Sequence, residues 1–67
     1  MAPKKFKLQL LHFRKLRGLT PEQLAEKSGL HPMAIRKIED GQRIFPRLDT
    51  LRKLATGLGI TLDELVG

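Results

Sequence analysis

Glycine and proline residues divide this 67-residue chain into short segments, so each helix or strand in it has to be short. Apart from Pro3 and Gly67 near the two ends, glycines stand at positions 18, 29, 41, 57 and 59, and prolines at positions 21, 32 and 46. The segments between them carry apolar residues at helical spacing, and none alternates apolar and polar residues for long enough to form a strand. The pattern predicts one all-α domain over residues 1–67, with five short helices around a single core.

The first helix is predicted over residues 5–17, preceded by a basic arm over about residues 1–5. Phe6, Leu10 and Phe13 recur at helical spacing and form one apolar stripe. Gly18 is expected to end this helix, because glycine accepts the left-handed conformation that closes many helices.

The second helix has a clear start signal. Thr20 can accept a hydrogen bond from the backbone N–H of Gln23, and the Gln23 side chain can reach back to Thr20. Pro21 stands at the first helical position, where its missing N–H does no harm. This helix is predicted to end near residue 28, with Gly29 as its left-handed terminal residue.

Three further helices follow from the same kinds of signal. The third is predicted over about residues 32–40 and the fourth over about residues 48–56, followed by a turn bracketed by two glycines. A fifth begins at a second capping box, Thr61 with Glu64. The residues expected to face inward are Ile35, Ile38, Leu51, Leu54, Ala55, Leu62 and Leu65. Only three residues separate the second and third helices, which predicts a helix-turn-helix over about residues 20–40.

Composition excludes several classes of protein. The chain has no cysteine, which rules out a disulfide framework and a cysteine-bound zinc site. Its two histidines are nineteen positions apart, so a structural metal is not expected. No cofactor is predicted. No long apolar run is present, so no membrane span is expected. The basic start is not followed by an uninterrupted apolar run, as a signal peptide would be. We therefore expect a cytoplasmic protein.

The charge balance points to a polyanionic partner. Thirteen basic and seven acidic side chains give a net charge of +6, with a pI near 10.4. Such a field on a small domain attracts nucleic acid and speeds its encounter. One alternative is a basic surface that is only solvated. An anionic membrane surface is a weaker alternative, because no segment has a broad apolar face opposite a basic one.

Residues spread over most of the chain match the sequence pattern of one known protein family. The matching positions are Phe13-Arg14, Gly18-Leu19-Thr20, Leu24-Ala25, Ser28-Gly29-Leu30, Ile35, Ile38-Glu39-Asp40-Gly41, Pro46, Leu51-Arg52-Lys53-Leu54-Ala55, Leu58-Gly59-Ile60 and Asp63-Glu64-Leu65. From about Leu10 to Leu65 the chain resembles the Cro and phage-repressor family of helix-turn-helix regulators (the XRE type). The resemblance implies a compact five-helix, lambda-repressor-like domain. Ala25 and Gly29 are then expected to be small because the second and third helices cross closely there.

The resemblance implies which residues meet double-stranded DNA. The start of the third helix reads base edges in this family, and the matching residues here are Pro32, Met33, Arg36 and Lys37. Pro32 and Met33 lack the hydrogen-bonding side chains that relatives often carry there, although Met33 can pack against a thymine methyl. This departure puts sharp sequence specificity in doubt more than DNA binding itself.

Phosphate contacts and one ion pair are also implied. Relatives commonly carry glutamine where this chain has Pro21, so the free N–H groups of Glu22 and Gln23 are the remaining donors there. Further backbone contacts are expected from Gln42, Arg43 and Arg47, the last at a narrowed minor groove. His31 is expected to cap the third helix or face a phosphate, and His12 to lie on the surface. The resemblance also predicts a partly buried ion pair between Arg14 and Glu39.

Relatives act as homodimers on palindromic operators. The matching apolar contact candidates are Ile44, Phe45, Leu58 and Ile60, with the alternative that the last two complete the monomer's core. Leu8, Leu11 and Leu16 fall off the stripe of the first helix, so we expect some of them to stay exposed and to form a contact surface.

Two functions remain open from the sequence. The first is a sequence-selective transcriptional regulator, most often a repressor that acts by occupancy of its operator. The second is a protein-interaction module on the same scaffold, such as an antitoxin or an adaptor whose Pro32–Met33 surface meets a protein partner. An enzyme is not expected, because no Ser–His–Asp set, carboxylate cleft or phosphate-binding glycine loop is present. Asp63 and Glu64 are adjacent at a helix start and are expected to be capping charges.

Overall fold

The computed structural model describes the backbone of residues 3–41 and 46–66 and the side chains of residues 9–41 and 46–66. The described residues form five helices: α1 (Pro3–Leu16), α2 (Pro21–Ser28), α3 (Pro32–Glu39), α4 (Leu48–Leu58) and α5 (Leu62–Val66). The all-α, five-helix prediction is confirmed. Over the same ranges, no helix has the length and apolar content that crossing a bilayer requires.

One hydrophobic core holds the helices together, and α2 packs against both α3 and α4. Six large side chains are almost completely shielded from solvent and come from all five helices: Leu10, Leu24, Ile35, Leu54, Leu58 and Leu65. Each buried leucine or isoleucine contributes about 1.5–3 kcal/mol relative to an exposed position. Phe13 packs against this core as predicted, while the side chain of Phe6 lies outside the described residues.

Both predicted capping boxes are present. The backbone N–H of Gln23 donates to Thr20 Oγ1 at 3.1 Å, and the Gln23 side chain accepts from the Thr20 N–H at 2.8 Å. Thr61 and Glu64 make the same pair of bonds at the start of α5. Each box satisfies backbone donors that a helix start leaves without partners, so the local sequence sets these two boundaries.

Two predicted boundaries were wrong. The first helix begins at Pro3, so residues 3–5 belong to α1 and not to a separate arm, in keeping with the tolerance of a helix start for proline. The fourth helix continues through Gly57 to Leu58 and closes at Gly59, whose φ is 71°. A Cβ on Gly57 would lie 2.5 Å from Ser28 Oγ. Gly57 is therefore a close contact between α4 and α2, not a turn residue.

Gly29 confirms one of its two predicted roles, the left-handed residue that closes α2, but not the other, a close crossing of two helices. Its φ of 73° is left-handed, and a Cβ added there would meet nothing within 4 Å. The residue is glycine because of the turn's backbone conformation, not because two helices cross closely at that point. Ala25, which is 2% exposed, is the small residue packed in the core.

Candidate nucleic-acid interface

The start of α3 is held by a histidine cap. His31 Nδ1 accepts a hydrogen bond from the backbone N–H of Met33 at 3.1 Å, and Pro32 occupies the first turn of the helix. This confirms the prediction that His31 caps α3. Because Nδ1 is the acceptor, the neutral ring carries its proton on Nε2, and the exposed His31 side chain can offer that N–H to another group.

The helix α3 has two clearly different faces. Ile35 and Ile38 are 0% and 5% exposed and attach its inner face to the core. On the outer face Met33 is 49% exposed, and Arg36 and Lys37 are both exposed. The helix therefore presents one apolar and two basic side chains to solvent. Pro32, the fourth residue predicted to read bases, is only half-buried at the helix start.

A groove runs beside this outer face, between α3 and the start of α4. It has a volume of about 710 Å³ and an apolar floor. Its lining residues are His31, Met33, Ala34, Lys37, Ile38, Pro46, Arg47, Asp49 and Thr50. The structure thus brings together four of the residues that the sequence assigned to DNA contact, namely His31, Met33, Lys37 and Arg47.

Arg36 faces a different neighbour. Its Nη2 group donates to the Glu22 carboxylate at the start of α2, and the two side chains are 48% and 54% exposed. From the sequence, Glu22 is predicted only to offer its backbone N–H at the start of the second helix. Sequence reasoning missed this pair, because the contact depends on the angle between α2 and α3 and leaves no periodic signal in the sequence.

The amide donors at the start of α2 differ from the prediction. The N–H of Gln23 is bonded to Thr20 Oγ1, so the expectation that it is free for a phosphate was wrong. The physical reason is the capping box itself, which satisfies that donor inside the protein. A phosphate contact at this end of α2 would depend on the N–H of Glu22.

The predicted Arg14–Glu39 ion pair is present. Arg14 donates from Nε and Nη2 to the two carboxylate oxygens of Glu39, at 2.5 and 2.9 Å, and from Nη1 to the carbonyl of Leu19 at 2.8 Å. The pair joins α1 to the last residue of α3. It fixes the end of α3 opposite to the one that carries Met33.

The remaining predicted site residues fall into two groups. Gln42, Arg43, Ile44 and Phe45 lie outside the described residues. Of the other dimer candidates, Leu58 is 2% exposed and belongs to the core, so it has almost no surface to offer a partner. Ile60 is half-buried against the core. For Leu58 the structure favours the alternative that it completes the monomer.

Several exposed or bridging residues have no predicted role in the site, or only a general one. Leu48, which opens α4, is 54% exposed, and Leu16, at the end of α1, is 62% exposed. Leu16 confirms that one of the three leucines off the α1 stripe stays exposed. Arg17 donates to the carbonyl of Leu58 at 2.7 Å and so ties the end of α1 to the end of α4. His12 lies on the surface as predicted.

Two short helices joined by a left-handed glycine turn, with the second helix basic on its outer face, define a helix-turn-helix protein. A family model described as "Helix-turn-helix" matches residues 10–65, and the chain belongs to this family. This confirms the family resemblance that the sequence motifs predicted.

Three proteins illustrate the similarity. RghRB of Bacillus subtilis, an uncharacterised HTH-type transcriptional regulator, is 41% identical over 66 residues, which are 98% of this chain and 46% of RghRB. The HTH-type transcriptional repressor RghR of the same organism is 41% identical over 87% of this chain and 43% of its own length. The chain thus spans about half the length of these relatives. The crystal structure of the restriction-modification controller protein C.AhdI from Aeromonas hydrophila is similar with a TM-score of 0.84, at 41% identity and 91% coverage of both chains.

Proposed function

We propose that this chain is a sequence-selective, double-stranded DNA-binding regulator of transcription, with α3 as the helix that enters the major groove. It acts by occupying its operator, most simply as a repressor, and performs no catalysis. Residues 1–67 serve as one DNA-binding domain.

The outer face of α3 is the observation that carries this proposal. Met33, Arg36 and Lys37 project from a helix whose inner face is fixed by Ile35 and Ile38. A helix held in this way can lie in the major groove with its side chains at the base edges. Lys37 and Arg36 suit guanine, and Met33 suits the methyl group of thymine.

Charge and similarity support the same function. The net charge of +6 favours a polyanion, and Arg47 stands in the groove beside Lys37. Relatives that carry the names of transcriptional regulators and repressors match this chain along nearly all of its length. His31 supports a backbone contact through its exposed Nε2–H, and Gln42 and Arg43 stay predicted phosphate contacts.

A homodimer on a palindromic operator is part of the proposal. Two copies related by a two-fold axis would place two α3 helices one helical turn of DNA apart. Ile44, Phe45 and Ile60 stay candidates for the contact, and the exposed Leu48 follows Phe45 by three positions in the sequence. Leu16 is the candidate for a separate contact surface on α1.

Selection of bound duplexes from a random DNA pool at near-physiological salt tests the function. We expect enrichment of a palindrome whose half-sites are about 10 base pairs apart. Binding without any enriched sequence would contradict the sequence-selective regulator.

A protein-interaction module, such as an antitoxin or adaptor, is the second candidate, favoured by the exposure of Met33 next to Pro32. Apolar side chains at the start of α3 fit a protein surface as well as a thymine methyl. In that case the DNA pool would yield no enrichment, and Met33→Lys would abolish binding to the protein partner. If Met33→Lys alters only the selected DNA sequence, the interaction module is excluded.

A further inference from the structure

The pairing of Arg36 with Glu22 divides the basic residues of α3 into two kinds. Arg36 donates to a carboxylate of the neighbouring helix, so the pair carries no net charge. Among the described residues, Lys37 has no salt-bridge partner, although it is adjacent in sequence. Only Lys37 therefore adds a full positive charge to the attraction between α3 and any phosphate.

The contact with Glu22 leaves part of the guanidinium available. A guanidinium has five N–H donors in a rigid plane, and the bond to Glu22 starts from the Nη2 group. The Nε–H, the two Nη1 protons and the second Nη2 proton remain. Two of these N–H groups, on adjacent nitrogens, match the O6 and N7 acceptors of a guanine, which lie side by side on the edge of the base.

A fixed carboxylate also changes which acceptors Arg36 prefers. It repels a phosphate that approaches the same guanidinium, whereas a guanine edge carries no net charge and is repelled far less. It also reduces the number of rotamers that a long arginine side chain samples before binding. Both effects favour a base contact over a contact with the DNA backbone.

We propose that Glu22 is a specificity-determining residue: it holds Arg36 by one edge, withholds it from phosphates and presents its other edge to a guanine. The inference rests on the proposed DNA-binding function and deepens it. Glu22 touches no base itself and acts through Arg36, so it is a positioning residue. Because Pro32 and Met33 lack hydrogen-bonding side chains, the polar base contacts of α3 depend on Arg36 and Lys37.

Glu26→Gln provides a matched control for Glu22→Gln. Both glutamates are exposed residues of α2, and both substitutions remove one negative charge. Of these two glutamates, only Glu22 forms a salt bridge with Arg36. Because both side chains are exposed, neither substitution should affect folding by more than a few tenths of a kcal/mol, which thermal unfolding checks.

The experiment measures Kd for the duplex that wild type selects and for a scrambled duplex of the same composition. Glu26→Gln should strengthen binding to both duplexes equally and leave their ratio unchanged. Glu22→Gln should lower the preference for the selected duplex by about fivefold, the upper range for an exposed ion pair. In an Arg36→Ala background, Glu22→Gln should leave the ratio as it is.

A base analogue gives an independent readout. Replacement of the recognised guanine by 7-deazaguanine removes the N7 acceptor, and we expect wild type to lose about tenfold in affinity. The loss should be smaller in Glu22→Gln, whereas a residue with a purely structural role would not alter it.

Two results overturn the inference while the proposed function stands. The first is an unchanged ratio in Glu22→Gln although wild type still prefers its selected duplex. The second is a drop in the ratio that persists in the Arg36→Ala background. If wild type itself prefers no duplex, the proposed function fails, and the inference fails with it.

Discussion

The guanidinium of Arg14 and the carboxylate of Glu39 are joined by two hydrogen bonds and are only 13% and 11% exposed. The same guanidinium donates to the carbonyl of Leu19. One arginine therefore holds α1, the turn before α2 and the last residue of α3 in one arrangement. The orientation of α3, on which the proposed DNA contact depends, is set at this end by a polar contact and along its inner face by apolar packing.

Removal of either Arg14 or Glu39 alone should lower the free energy of unfolding by far more than the intact ion pair adds to it. Arg14→Met leaves the Glu39 carboxylate and the Leu19 carbonyl without their donor in a poorly solvated place. We expect the free energy of unfolding to fall by about 3 kcal/mol, measured by urea denaturation. The control is Lys53→Met, which breaks the exposed Asp49–Lys53 pair and should cost less than about 0.5 kcal/mol. Equal losses in the two variants would contradict this account.

Because Gly57 lies against Ser28, replacing this helical glycine by alanine should destabilise the protein, although alanine normally favours a helix. Gly57→Ala places a Cβ 2.5 Å from Ser28 Oγ and 3.3 Å from Ser28 Cα. Overpacking costs about 1–3 kcal/mol, and alanine returns about 1 kcal/mol of helix propensity. We expect a net loss of stability of up to about 2 kcal/mol, measured by denaturant unfolding. Ser28→Ala should recover part of this loss; a more stable Gly57→Ala single variant would show that the helices do not meet here.

Two exposed leucines, Leu48 and Leu16, mark the surfaces at which two copies of the chain are expected to associate. Leu48→Ser removes exposed apolar surface three positions after Phe45 in the sequence, and we expect the dimer dissociation constant to rise at least about tenfold. Leu16→Ser makes the same chemical change at a similarly exposed site on α1. Sedimentation velocity over a concentration series measures both. If Leu16→Ser has the larger effect, the dimer contact lies on α1, and if neither variant changes, the proposed contacts are wrong.

The salt dependence of binding reports how many phosphates the protein neutralises. A dimer that neutralises about eight to ten phosphates should give a slope of about −7 to −9 for log K against log salt concentration. Titrations of the selected duplex at four or more salt concentrations measure this slope. A slope near −2 would mean that the basic residues do not track the DNA backbone.

Sequence reasoning succeeded where a boundary depends on neighbouring residues. The capping box of Thr20 and Gln23 and the left-handed turn at Gly29 are encoded within a few positions, so the helix-turn-helix was predictable. It failed at Gly57, where local helix propensity predicts the end of a helix. The helix continues there, and the residue is glycine because a larger side chain would collide with Ser28.

Contacts between helices were predictable only through the family resemblance. That resemblance supplied the Arg14–Glu39 pair, whose partners are 25 positions apart. The resemblance did not predict the Glu22–Arg36 pair, and neither did the local sequence, since this contact depends on the orientation of α3 relative to α2. The outward position of Met33 and Lys37, in contrast, followed from the inward position of Ile35 and Ile38 on the same helix.

The most direct test of the central claim compares Lys37→Ala with Lys15→Ala. Each substitution removes one exposed positive charge, but only Lys37 lies on the outer face of α3 and in the groove beside Arg47. The measurement is Kd for the selected and the scrambled duplex at one salt concentration. We predict that Lys37→Ala weakens binding to the selected duplex by about tenfold or more and lowers the preference for it, while Lys15→Ala changes both affinities slightly and equally. Identical effects of the two substitutions would contradict the placement of α3 against DNA.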